Sequence, residues 1–213
     1  MSCLVAVLWK AKLIEFGGLA SSGFGAFKFA LAWGCIALLL GIFEESLLRG
    51  YLQYALTRAV GFWWAGLMLS AIFALWHLSN GGESIVGLIV VGLGGLVFCL
   101  SLWYTKSLWW AIGFHAGWDW GQSYLYGTPD SGLVTQGHLL RSHVSGNPLW
   151  NGGLTGPEGS LLMLPLLIAI AVVMWAWWGR KRTMRLGGHF GMNCWSEPGP
   201  KIRAASSRSG WKD

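Results

Sequence analysis

Residues 31–42 are an unbroken apolar run, and they lead directly into Phe43-Glu44-Glu45-Ser46-Leu47-Leu48-Arg49-Gly50. A run of this kind inside a bilayer must satisfy its backbone internally, which makes it a helix. Ionisable side chains at membrane depth are expensive and are usually there for function. On a helix, Glu45 and Arg49 are four residues apart and share a face, so they pair. Glu44 lies about 100° around the helix from Glu45 at 3.6 residues per turn. Arg49 therefore does not neutralise both glutamates equally. One is structural, held by the arginine, and the other is left unpaired in a low-dielectric site. That is how a general base is made.

Composition supports a membrane setting for this segment. The 213 residues are 54% hydrophobic and 11% charged, with 16 Trp, outside the range of an ordinary soluble domain. Tryptophan concentrates at bilayer interfaces. At roughly 20 residues per span, the length allows one domain of several spanning helices. The pattern predicts an all-α fold, a polytopic transmembrane helix bundle of about five spanning helices. The apolar segments are residues 26–60, 62–79, 84–104, 107–126 and 160–178, with Gly61 breaking the first from the second. Residues 1–25 read as an interfacial or disordered start, 26–178 as the membrane domain, and 179–213 as a basic, disordered cytoplasmic tail.

The net charge of +6 resides in that tail. Residues 179–213 hold eight basic and two acidic side chains, leaving seven of each in the rest of the chain. A basic flank after an apolar segment reads as a cytoplasmic contact with anionic lipid. The basic residues are scattered without an aromatic-interleaved module, so no nucleic-acid partner is expected. Positive-inside logic puts the tail, Lys106 and Arg58 on one side and residues 80–83 and 127–159 on the other. Lys10, Lys12 and Lys28 run against that count. Residues 127–159 are polar, rich in Gly and Pro, too long for a simple connector and long enough to cover a site. The four cysteines show no paired spacing, and neither a disulfide framework nor a cysteine-type zinc site is indicated.

Three polar patterns lie in the apolar segments: Glu44-Glu45-x-x-x-Arg49, Phe73-x-x-x-His77 and His115-x-x-x-Asp119. Each spacing puts its two ends on one helix face. Glu45 precedes Gly61 by 16 residues and His77 follows it by 16. At 1.5 Å per residue both sit ~24 Å from that turn, at a common level. His115 is less well placed by this count and needs helix tilt to join them. Singly, each histidine is read as easily as an interhelical hydrogen-bond partner, and the Glu–Arg pair as a clamp. Phe73 reads as core, and His138, His143 and His189 as surface. Two glutamates, an arginine, two histidines and an aspartate on three neighbouring spans are not readily explained as packing. Glu44, His77 and His115 also match a two-histidine, one-carboxylate zinc set with an open position for water.

The segments EESLLRG, FALWH and HAGWD resemble, in order and separation, the three signatures of the CPBP family of intramembrane proteases. That family includes the CAAX prenyl endopeptidases and bacteriocin-processing relatives. The resemblance implies an intramembrane endopeptidase, metallo- or glutamate-type, acting on a protein or peptide substrate within the lipid bilayer. It implies a multi-pass protein of a bacterial cell membrane. By resemblance Glu44 activates water with help from His77, Glu45 and Arg49 order the first motif, and His115 and residue 119 stabilise the oxyanion. Here the chain departs from the pattern, with Asp119 where well-known members have Asn. An ionised carboxylate repels a developing oxyanion, so Asp119 carries a proton, orients His115 or ligates a metal. The cofactor stays open between zinc or another divalent metal on Glu44, His77 and His115, and none. The rival readings are a non-enzymatic membrane protein using the cluster for metal binding or proton transfer, and a degenerate protease kept as a scaffold.

Overall fold

A computed structural model describes residues 1–180. The expected disordered cytoplasmic tail falls almost wholly at 181–213, outside the described residues. The fold is helical. Helix α1 (Ser2–Lys10) and strand β1 (Ile14–Leu19) precede α2 (Gly23–Val60), α3 (Phe62–Ser79) and α4 (Ile85–Thr105). Helix α5 (Trp109–Trp120), strand β2 (Leu140–Val144) and helix α6 (Met163–Gly179) follow.

Helices α2, α3 and α4 are each long and apolar enough to cross a membrane, while α6 is a shorter apolar helix. Helix α5 runs on through a π-helical turn, Gly121–Tyr126, that contains Gln122 and Ser123. Polar residues thus interrupt the fourth expected span. Much of the apolar surface of α2 faces outward, with Phe27, Leu31, Leu39 and Phe43 all exposed. A helix apolar on every side belongs in lipid or in a core, and here lipid is the solvent that fits. This is an integral membrane protein.

Gly61 ends α2 at φ +85°, a conformation that glycine adopts without a side-chain clash, and α3 folds back from it. The reversal packs α3 against both the end of α2 and α4. Helix α5 lies along α2. Gly41 lets the Ile112 carbonyl and the Ala116 amide approach so closely that a Cβ there would stand 3.2 and 3.4 Å from them. Trp120 Nε1 donates to the Ala30 carbonyl at 3.0 Å and Tyr124 Oη to the Ala26 carbonyl at 2.9 Å, pinning the other end of the pair. Glu45 is one turn beyond Gly41 on the same face, so this contact aims it at α5.

Residues 1–25 are folded, which corrects the disordered half of the expectation for them. Leu4 and Leu8 of α1 are buried with Ile14 in the main core, against Val97, Trp118 and Leu167. Strand β1 pairs antiparallel with β2, with Ile14 opposite Val144 and Leu19 opposite Leu140. This ribbon ties the chain's start to the long connection between α5 and α6. Gly132 N donates to the Thr155 carbonyl, and Thr155 Oγ1 to the Gly82 carbonyl. The turn at residues 80–83 and the 127–159 segment therefore share one end of the bundle, as the charge pattern had them.

Candidate active site

Carboxylates converge on His115 from two helices. The first helix delivers two of them where its hydrogen-bond ladder changes pitch: α-helical to Glu45, then π-helical over Ser46–Leu52. Such π-turns recur at functional sites. Glu45 and Arg49 are both buried, and Arg49 Nη1 donates to Glu45 Oε1 at 3.1 Å. His115 Nδ1 is 3.0 Å from the same Glu45 oxygen. The other ring nitrogen, Nε2, stands 3.7 Å from Glu44 Oε2 and 3.6 Å from Asp119 Oδ2. The last two separations exceed a hydrogen bond and suit a group held between the partners. The i,i+4 reading of Glu45 and Arg49 therefore holds, and Glu44 is the glutamate that Arg49 leaves alone.

His77 comes from the end of α3. Its Nδ1 lies 2.8 Å from the Phe73 carbonyl, an acceptor only, so Nδ1 carries a proton and donates there. Phe73 is core, as expected, but its ring also meets His77 edge-on at 4.7 Å and lies 4.6 Å from the Arg49 guanidinium carbon. Glu44, His77, His115 and Asp119 line one cavity of about 360 Å³. Trp33, Ile36 and Leu40 of α2 and Trp76 form its apolar side. Glu45 and Arg49 sit behind the wall.

The 127–159 segment lines the cavity with Asp130, Ser131 and Thr135, three residues the motifs did not reveal. Glu158 holds this segment down. Its Oε1 accepts from Ser131 N at 2.5 Å and Ser131 Oγ at 2.8 Å, and its Oε2 from Trp118 Nε1 at 3.3 Å. His138, expected on the surface, is half-buried with Nδ1 3.2 Å from the Thr135 carbonyl. His143 lies on β2 opposite Glu15, and His189 is outside the described residues.

Glu44, His77 and His115 border the same cavity, but among the described residues no three His, Cys, Asp or Glu side chains converge as metal ligands. His115 Nδ1 is turned to Glu45, and Nε2 already faces two carboxylates. The metalloprotease reading therefore finds no support among the described residues.

The family model described as Rce1-like, type II CAAX prenyl endopeptidase Rce1-like, matches residues 26–121. All seven motif residues fall inside the match. The match covers somewhat under half of the chain and supports membership of the CPBP family. Membership points to a CAAX-type intramembrane endopeptidase, with a protein or peptide substrate at the membrane. Neither a curated protein nor a solved structure matches the chain. The CPBP match stops short of Asp130, Ser131 and Glu158, so the cover of the cavity lies beyond the matched region.

Two acids in that cover make folding depend on pH. Burial pushes the Glu158 carboxyl up from its ordinary 4.5, against the opposing hydrogen bonds from Ser131. Burial also raises Asp130 well above 3.8, with the Asp119 charge adding to it. Each keeps its proton to a higher pH in the folded chain than in the unfolded one. The folded state then binds more protons, so stability falls as pH rises from the unfolded values toward the folded ones. Asp130→Asn keeps an acceptor for Ser123 Oγ, which donates to Asp130 Oδ2 at 2.7 Å, and removes one of these groups. Thermal unfolding from about pH 4 to pH 8 should show a shallower decline for Asp130→Asn than for wild type. Parallel curves would remove Asp130 as a source of the dependence.

Proposed function

We propose that the chain hydrolyses a peptide bond of a membrane-associated or lipidated protein or peptide, using a water activated by Glu44. The observation that carries this reading is the setting of His115. One ring nitrogen is anchored by the Glu45–Arg49 pair, and the other faces a gap bounded by Glu44 and Asp119. A water in that gap would sit beside Glu44, the carboxylate that Arg49 does not bond, at the edge of a cavity with an apolar side.

Glu44 takes a proton from the water, whose oxygen attacks the scissile carbonyl carbon. His77, which lines the same cavity, helps to orient that water. Doubly protonated His115 donates from Nδ1 to Glu45 and from Nε2 toward the carbonyl oxygen, where negative charge develops. The C–N bond then breaks, and the proton on Glu44 passes to the leaving amine. Asp119 faces His115 Nε2 and orients the ring. The apolar wall of Trp33, Ile36, Leu40 and Trp76 suits a substrate arriving from lipid. The bilayer in this reading is that of a bacterial cell, as the resemblance to the family implies.

The test compares protein N-termini in membranes carrying equal amounts of wild type or Glu44→Ala. New N-termini found only with wild type are the expected result, and they would also name the substrate. Identical sets, across membranes that include lipidated proteins, would turn the reading toward a metal-binding, proton-transfer or scaffold role.

A further inference from the structure

Helix α4 carries none of the three motifs, yet it touches two of them at once. Phe98 is buried, and its ring stacks on the His115 imidazole with centroids 5.6 Å apart and planes 20° from parallel. The Arg49 guanidinium carbon lies 5.3 Å from the centroid of the same ring. Phe73 approaches that guanidinium at 4.6 Å, so two aromatic rings serve one cation. Arg49 Nε and Nη2 are buried and have no hydrogen-bond acceptor among the described residues. The rings stand where acceptors would otherwise be needed, and an aromatic face attracts a cation most strongly when both are desolvated.

Gly95 lies one turn before Phe98 on the same face of α4. A Cβ at Gly95 would stand 2.5 Å from Arg49 Nη2 and 2.8 Å from Ser70 Oγ. Real side chains do not approach that closely, so any other residue at 95 displaces the guanidinium. The absent side chain lets Arg49 lie against α4, and the ring at 98 covers it. Arg49 in turn holds Glu45, and Glu45 holds His115 Nδ1.

We infer that Gly95 and Phe98 of α4 form a fourth positioning element of the site, a cradle that fixes the Arg49 guanidinium and the plane of the His115 ring. Phe98 offers no proton and no charge, so it acts through the residues it touches. The cradle rests on the reading of His115 as the donor for the oxyanion. Its primary test, however, is independent of catalysis.

Full-length protein labelled with [15N]histidine is placed in nanodiscs, and the His115 ring resonances are assigned by their loss in His115→Gln. Phe98→Leu, which keeps an apolar side chain without the ring face, should shift the His115 signals, while Phe98→Tyr leaves them near wild type. Gly95→Ala should shift them too, through Arg49. Unchanged His115 signals in folded Phe98→Leu and Gly95→Ala would overturn the inference, whether or not the chain is a protease. With a farnesylated CAAX peptide that wild type cleaves, Phe98→Leu should lower kcat about tenfold per folded molecule, with KM little changed. A loss of folded protein with kcat preserved would make Phe98 a packing residue and nothing more. Failure of wild type to cleave the probe counts against the proposed function and leaves the resonance test standing.

Discussion

Replacing Arg49 with methionine should cost about 3–5 kcal/mol of stability, because it leaves the Glu45 carboxylate buried without its cation. Glu45 and Arg49 are both inaccessible to solvent and 3.1 Å apart. Methionine roughly fills the stem of the arginine and keeps contact with Phe73 and Phe98, so lost volume is not the main effect. His115 Nδ1 still reaches Glu45, which sets the loss toward the lower end of that range. The double variant Glu45→Gln/Arg49→Met removes both charges, and most of the stability should return. Denaturation of each variant in the same detergent micelle gives the comparison. Equal losses in the single and double variants would mean that shape, not charge, makes Arg49 necessary. Recovery of stability without recovery of cleavage would separate the two jobs of the pair, folding the helix end and holding His115.

The parts of this site that follow a helical period were legible in the sequence. Four-residue spacing gave the Glu45–Arg49 pair, and equal spacing from Gly61 put Glu45 and His77 at one depth. His115 was legible as a candidate but not as a neighbour, because its place depends on how closely α5 lies against α2. That approach is set by Gly41, whose missing side chain has no signature in a segment already rich in small residues. Phe98 was hidden for a related reason: α4 is apolar throughout, so no contrast singles out one aromatic. Asp130, Ser131 and Glu158 lie in irregular chain, where no period predicts which way a side chain turns. Of the two expectations for the start of the chain, interfacial or disordered, the second fails because the order of this segment comes from afar. Leu4 and Leu8 bury against α4, α5 and α6, and β1 gains its hydrogen bonds from a strand beyond the last motif.

Glu44→Gln should lower kcat by roughly 10²–10⁴-fold, the range that a positioned acid–base group supplies, with little change in folding. The amide has the size of the carboxyl, and Glu44 Oε2 has no hydrogen-bond partner among the described residues, so the substitution gives up only the 3.7 Å ion pair with His115 Nε2. What it removes is the ability to take a proton from water. Glu45→Gln should behave differently, because it leaves Arg49 without its counter-ion and lowers stability together with rate. Asp119→Asn separates the roles further. The variant restores the amide of the usual family pattern, keeps the contact distance to His115 Nε2 and removes an anion from beside the developing oxyanion. Its activity should stay within about tenfold of wild type. Steady-state kinetics on a farnesylated CAAX peptide, per folded molecule, ranks the three. If Asp119→Asn were as inactive as Glu44→Gln, the carboxylate at 119 would itself handle a proton, and the water would belong to Asp119 as much as to Glu44.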